Sequence, residues 1–288
     1  MDSVLAGQPK IEDLPQSFLV NYELSKNEKV TSPYCIAVSS HKGGVAKTTT
    51  CISMGASLAE LGANILLIDL DPQAHLSRSV GLHPDVILRA SGEVLLNQAS
   101  IMSVARETGL DNLDILPSNP GLLVVDKLLY KIDAYEYRLK NILDQKTLQL
   151  YDFIIIDCPP NINTLTINAI TASQLVIIPI TCDYYSAHSL RNYLSILNRI
   201  KSRSNPEIDY RILITLFERR TKVSHLILDQ YRNVYSIKMF TQIISMDVKI
   251  RESAIVGKPV TLYSKQSRSA NEYRKLAWEL LECLKTKF

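Results

Sequence analysis

The sequence predicts an α/β protein: one doubly wound, mostly parallel sheet with helices on both faces. Three observations carry that expectation. Short continuous apolar runs of buried-strand length, at 34–38, 64–69 and 151–157, alternate with stretches of helical apolar spacing. The first two runs are separated by little more than one helix, the spacing of a crossover between parallel strands. At 288 residues and 46% hydrophobic, with no Gly/Ser-rich linker, internal repeat or low-complexity block, the chain can bury one large core. The expected organisation is an N-terminal arm over 1–33 and a single domain over 34–288.

In chain order, the arm is polar, carries Pro9, Pro15 and Pro33, and reads as an extended or short helical segment ahead of the first strand. Tyr34-Cys35-Ile36-Ala37-Val38 is a short buried strand. The loop Ser40-His41-Lys42-Gly43-Gly44-Val45-Ala46-Lys47 leads into a helix from Thr48 to Leu61, which Gly62 closes. A loop ending at a helix N-terminus aims backbone N–H groups and the positive end of the helix dipole at one point, a ready site for phosphate oxygens. Next, Asn64-Ile65-Leu66-Leu67-Ile68-Asp69-Leu70-Asp71 is a buried strand ending in two carboxylates. Tyr151-Asp152-Phe153-Ile154-Ile155-Ile156-Asp157 is another apolar strand, with one carboxylate at its end.

The strict phosphate-loop pattern G-x-x-x-x-G-K-[ST] fails, because His41 and Ala46 stand where its glycines belong. Lys47-Thr48 still fits it. Lys47 is placed to reach the β and γ phosphates of a nucleotide, and the Thr48 hydroxyl to ligate Mg²⁺. Gly43 and Gly44 let the backbone approach the anion, and Val45, Ala46 and Thr49 complete the cradle. Strands ending in Lys47-Thr48, Asp69/Asp71 and Asp157 would gather phosphate donors, a metal environment and a water-activating carboxylate at the carboxyl edge of one sheet.

Lys42 is surplus to a single phosphate loop. A lysine preceding Gly-Gly, in K-G-G-x-x-K-T, resembles the deviant Walker A loop of the ParA/MinD class of ATPases, with 64–73 similar to its Walker A′ segment and 151–161 to its Walker B segment. The resemblance covers about residues 34 to 285. Leu116-Pro117-Ser118-Asn119, Pro179-Ile180-Thr181, Phe217-Glu218-Arg219-Arg220-Thr221, Ile250-Arg251-Glu252-Ser253, Gly257-Lys258-Pro259 and Ser269-Ala270-Asn271-Glu272-Tyr273 fit the ParA branch.

That resemblance implies ATP and Mg²⁺ as cofactors and hydrolysis as the activity. It implies that Asp71 orients or activates the attacking water, that Asp69 and Asp157 act around Mg²⁺ mostly through waters, and that Lys42 reaches the partner subunit's phosphates in an ATP-dependent homodimer. A ParB-like or adaptor protein that stimulates hydrolysis is the implied partner, and a plasmid or chromosome the implied cargo, with a protein cargo as the alternative. The arm is too short for the helix-turn-helix domain of some plasmid ParA proteins.

Net charge is +3 overall, but residues 1–200 carry −5 and residues 201–288 carry +8. Such asymmetry suggests a basic face, for which Arg219, Arg220, Lys222, Lys249, Arg251, Lys258, Lys265 and Arg268 are the candidates. Few aromatics accompany them, so the expected contact is nonspecific, with the phosphates of double-stranded DNA. No apolar run approaches the roughly 20 residues that span a bilayer, and the N-terminus has no secretory pattern, so a cytoplasmic, nucleoid-associated location is expected. A MinD-like membrane contact would require the partly amphipathic 273–288, whose acidic residues favour packing on the body. Cys35, Cys51, Cys158, Cys182 and Cys283 form no C-x-x-C pair, which points away from disulfides, zinc and a bridging iron–sulfur cluster. Ala46 is the loop's other departure: its methyl replaces a usual glycine, and slowed hydrolysis or a nucleotide-gated scaffold of low turnover is its expected consequence.

Overall fold

The computed structural model describes residues 32–285. The expected arm, apart from Ser32 and Pro33, lies outside the described residues.

Seven strands form one sheet: β1 Tyr34–Val38, β2 Ile65–Asp69, β3 Arg106–Leu110, β4 Leu113–Leu116, β5 Phe153–Asp157, β6 Leu175–Ile180 and β7 Asp209–Ile214. Their order is β3-β4-β2-β5-β1-β6-β7; β3 is antiparallel to β4 and every other pair is parallel. The sequence reading of a mostly parallel, doubly wound sheet is therefore what the fold shows. Register sets Val38 and Asp69 on either side of Asp157, so β1, β2 and β5 finish side by side.

The helices in chain order are α1 Lys47–Glu60, α2 His75–Arg78, α3 Ser91–Leu95, α4 Ile101–Val104, α5 Leu122–Leu129, α6 Arg138–Leu143, α7 Thr164–Ala172, α8 Tyr184–Arg203, α9 Lys222–Tyr235, α10 Val248–Val256, α11 Val260–Tyr263 and α12 Arg268–Lys285. Strand residues alternate between two cores, as the pleat requires. Ala37, Leu66, Ile68, Ile154 and Ile156 face one side with α3 to α9; Ile36, Val38, Leu67 and Ile155 face the other with α1, α10, α11 and α12. A side chain on Gly55 would come within 2.9 Å of Leu67 Cδ2, so glycine there is what seats α1 close against the sheet.

The C-terminal helix packs on the body. Tyr273, Leu276, Ala277, Leu280, Leu281 and Leu284 are buried in the same core as α1, and Arg274 pairs with Glu60 at 2.6 Å. Truncating one of those leucines to alanine would cost about 2–5 kcal/mol. The apolar stripe that suggested membrane contact is thus occupied by packing, and among the described residues no helix is long and apolar enough to cross a membrane. All five cysteines are free thiols.

Candidate functional site

The site lies where β1, β2 and β5 end and α1 begins. The loop after β1 reaches α1 through Ala46, whose backbone is left-handed at φ 63° and ψ 35°. That is the conformation glycine adopts without cost and alanine adopts under strain. The methyl does not displace the loop from the glycine-like geometry; it is carried in it. Val45 is buried, and its carbonyl accepts a hydrogen bond from Thr215 Oγ1 at 3.0 Å, tying the loop to the residue after β7. Nothing lies within 4 Å of where a Cβ would sit on Gly43 or Gly44, so the loop backbone is open to a ligand. Lys47 is buried with its ammonium on the Lys42 carbonyl at 3.3 Å, within the loop's own curl.

Thr48 Oγ1 donates to Asp157 Oδ2 at 2.6 Å, joining the helix N-terminus to the end of β5. The other oxygen, Asp157 Oδ1, is buried and has no hydrogen-bond partner among the described residues. Burial, and then the negative charge of Asp69, push the Asp157 carboxyl well above its ordinary range. Burial also pushes Asp69 up, to about 7, against hydrogen bonds from Ser77 and Asp71 that lower it. Two buried carboxylates side by side are costly without a cation. Among the described residues no group of three or more His, Cys, Asp and Glu could hold a metal alone. Mg²⁺ has no need of one: it is held by one or two protein oxygens together with substrate phosphates and waters. The orphaned Asp157 oxygen, the Thr48 hydroxyl and the open loop fit that group and a nucleotide.

The aspartates differ in how they are held. Both oxygens of Asp69 are occupied: Oδ1 accepts from the Asp71 N–H at 3.1 Å, and Oδ2 from Ser77 N at 2.9 Å and Ser77 Oγ at 2.7 Å. Asp69 therefore fixes the turn that carries Asp71. The Asp71 carboxylate accepts a turn bond from Gln73 N at 2.9 Å through Oδ1, and its Oδ2 has no partner among the described residues.

Lys42 is held within its own chain. Its ammonium donates to Asp183 Oδ2 at 2.6 Å, Ser186 Oγ at 3.0 Å and Thr181 Oγ1 at 3.3 Å, at the head of α8. Partial burial raises the Asp183 carboxyl, but the bonds from Lys42, Thr181 and Ser186 outweigh it and hold it at about 2. Asp183 also caps α8, accepting from Tyr185 N and Ser186 N. Sequence reasoning missed it, although it follows the end of β6 at Ile180 by three residues and so stands at the same sheet edge as the other carboxylates.

The eight basic candidates fall into groups. Arg219 and Arg268 converge on buried Glu272, at 2.9 and 3.9 Å. Arg220 follows on the exposed loop, Lys222 is the first residue of α9, and Lys249 lies in the first turn of α10, paired with Glu252 at 2.8 Å. Arg251, Lys258 and Lys265 are exposed and make no ion pair among the described residues. Lys258 follows Gly257, where a Cβ would come within 3.1 Å of Gly81 Cα, and the Lys265 carbonyl accepts from Arg274 at 2.6 Å.

Comparison with known proteins finds likeness along most of the chain. The family model described as an AAA domain matches residues 34–210. The chain is 34% identical over 246 residues to the sporulation initiation inhibitor protein Soj of Bacillus subtilis, covering 85% of this chain and 97% of that protein. It is 35% identical over 248 residues to the chromosome partitioning protein ParA of Myxococcus xanthus, covering 86% and 87%. Among solved structures, cobyrinic acid a,c-diamide synthase from Mycobacterium smegmatis, with bound ATP analog and magnesium, superposes with a TM-score of 0.78 at 32% identity, over 89% of this chain and 97% of that one. With its lysine-bracketed loop, its strand-end aspartates and this likeness along most of its length, the chain belongs to the ParA family.

Proposed function

We propose that the protein is an ATP- and Mg²⁺-dependent partition ATPase. In this reading it dimerises on ATP, binds nucleoid DNA nonspecifically, and moves a plasmid or chromosome with a ParB-like or adaptor protein that stimulates hydrolysis. The observation that carries the reading is the Thr48–Asp157 contact at 2.6 Å beside an Asp157 oxygen without a hydrogen-bond partner among the described residues, at the mouth of a loop lined by Lys47 and the backbone from Gly43 to Thr49. It is the donor set of a phosphate and magnesium site.

Lys47 and the loop N–H groups would hold the phosphates, while Thr48 and Asp157 would hold the metal. Bound there, Mg²⁺ would supply positive charge to offset that of the phosphates and of the buried carboxylates. Asp69 acts from behind, through its field and by fixing the Asp71 turn. Asp71, with one oxygen uncommitted, accepts the proton of the attacking water or orients it. Lys42 leaves Asp183 to meet the phosphates of a second subunit, so the dimer depends on the γ-phosphate. The basic residues of the C-terminal third then act as a doubled surface, and two modest phosphate-binding patches acting together raise affinity steeply.

A gel shift with random-sequence duplex, run with ATP, ADP and no nucleotide, tests this reading. Retardation with ATP alone, weakened by Arg220→Ala, is the expected result. Equal binding in all three states would refute it.

A further inference from the structure

Glu272 is a buried carboxylate among the basic candidates, and its contacts are unusually complete. Oε2 accepts from Ser245 N at 2.6 Å, and Oε1 accepts from Ser245 Oγ at 2.8 Å and from Arg219 Nη2 at 2.9 Å. Arg219 Nε donates to the same Ser245 Oγ at 2.7 Å. Arg268, one turn before Glu272 on α12, donates to the Met246 carbonyl at 2.6 Å. Between the two loops, Phe217 N bonds Ile244 O at 3.0 Å and Met246 N bonds Phe217 O at 3.1 Å. Three segments distant in sequence, the loop after β7, the loop before α10 and the start of α12, thus meet on one side chain.

Arg219 is consequently held by one edge. Its guanidinium has five donors in a rigid fork. The Nε and Nη2 side faces Ser245 and Glu272, while Nη1 has no partner among the described residues, and the side chain as a whole is 57% exposed. An arginine fixed in this way presents a preorganised donor to an anion, without the ordering cost of a free side chain.

We propose that Glu272 is a positioning residue for the DNA face: it locks Arg219 with an outward donor edge and fixes the 244–247 loop, so that Arg219, Arg220, Lys249 and Arg268 form one surface for duplex phosphates. The proposal rests on the DNA-binding reading above and predicts an effect opposite in sign to simple electrostatics. A carboxylate beside a phosphate surface repels DNA at long range, so deleting its charge should tighten binding. Positioning predicts that deleting it weakens binding.

The test is Glu272→Gln, whose amide oxygen still accepts from Ser245 N while its NH₂ group cannot accept from Arg219. Affinity for a random-sequence duplex is measured with ATP across salt concentrations, alongside thermal unfolding and ATP binding as folding controls. One lost phosphate contact per protomer corresponds to about tenfold weaker binding for a dimer near 0.15 M salt, and to a salt slope shallower by about two. Arg219→Ala should give the same loss, and the double variant no further one. Arg219→Lys, which keeps the charge and removes the fork, should resemble Arg219→Ala and serves if Glu272→Gln does not fold. A folded Glu272→Gln protein that binds as tightly as wild type or more so, or an Arg219→Lys protein with wild-type affinity and slope, overturns the proposal. A wild-type protein that binds no DNA in any nucleotide state instead overturns the reading beneath it.

Discussion

Ala46→Gly is the most informative single change in the phosphate loop, because two opposed terms can be weighed from its backbone angles. Ala46 sits at φ 63° and ψ 35°, and its carbonyl accepts the Thr50 N–H at 2.9 Å, so the strained residue is also the first acceptor of α1. Holding an L-residue in the left-handed region costs about 1–2 kcal/mol relative to glycine. Glycine gives back about 0.4–1 kcal/mol by loosening the unfolded chain. The net expectation is stabilisation of about 0.5 kcal/mol, which for a domain of this size raises Tm by about 1–2 °C. Because Ala46 already adopts the glycine-like angles, ATP affinity should change by less than about twofold, and turnover should rise by at most about fivefold, the effect of roughly 1 kcal/mol on a barrier. Thermal unfolding, nucleotide titration and steady-state phosphate release check these values. A fall in Tm of several degrees would refute the strain argument, and unchanged turnover would remove Ala46 as a brake on hydrolysis.

Three further changes probe the surrounding residues. Asp71→Ala should leave ATP binding intact and lower single-turnover hydrolysis by at least about 10²-fold, as expected for a lost general base or water-orienting group. Thr215→Val keeps the shape but removes the donor to the Val45 carbonyl, while the Ile180 carbonyl keeps its bond from Thr215 N at 2.8 Å; denaturant unfolding should show a loss of about 1–3 kcal/mol, the cost of leaving a buried acceptor unpaired, together with weaker ATP binding. Asp183 has a folded-state carboxyl held at about 2, below its unfolded value of about 3.9. Its contribution is therefore complete above pH ~4 and lost as pH falls toward 2. Acid unfolding of wild type and Asp183→Asn should accordingly differ at pH 5 and converge near pH 2.

Much of the fold was legible in the sequence because its central strands are continuous apolar runs bounded by functional residues. Tyr34–Val38, Ile65–Asp69 and Phe153–Asp157 are buried on both faces, so their composition marks them without any need for alternation. The same property exposed the site, since a buried strand ending in a carboxylate delivers that carboxylate to the sheet edge. What the sequence hid are the contacts between distant segments. Nothing local in Ser77 announces that it holds Asp69 through both backbone and hydroxyl, and Thr215 meets Val45 across 170 positions. Arg219 read as one of several surface cations; its pairing with Glu272, 53 positions away, depends on where α12 packs. The resemblance likewise assigned Lys42 to a second subunit, whereas the single chain stores that lysine on Asp183.

The central claim, an ATP-gated dimer that works through Lys42, is tested most directly by solution mass from light scattering. The Asp71→Ala background prevents turnover during the measurement, and each sample carries Mg²⁺ with ATP or ADP. A doubled mass with ATP, a monomer with ADP, and a monomer in both nucleotides once Lys42→Ala is added is the predicted outcome. A mass independent of nucleotide, or a Lys42→Ala protein that still doubles with ATP, would contradict the account.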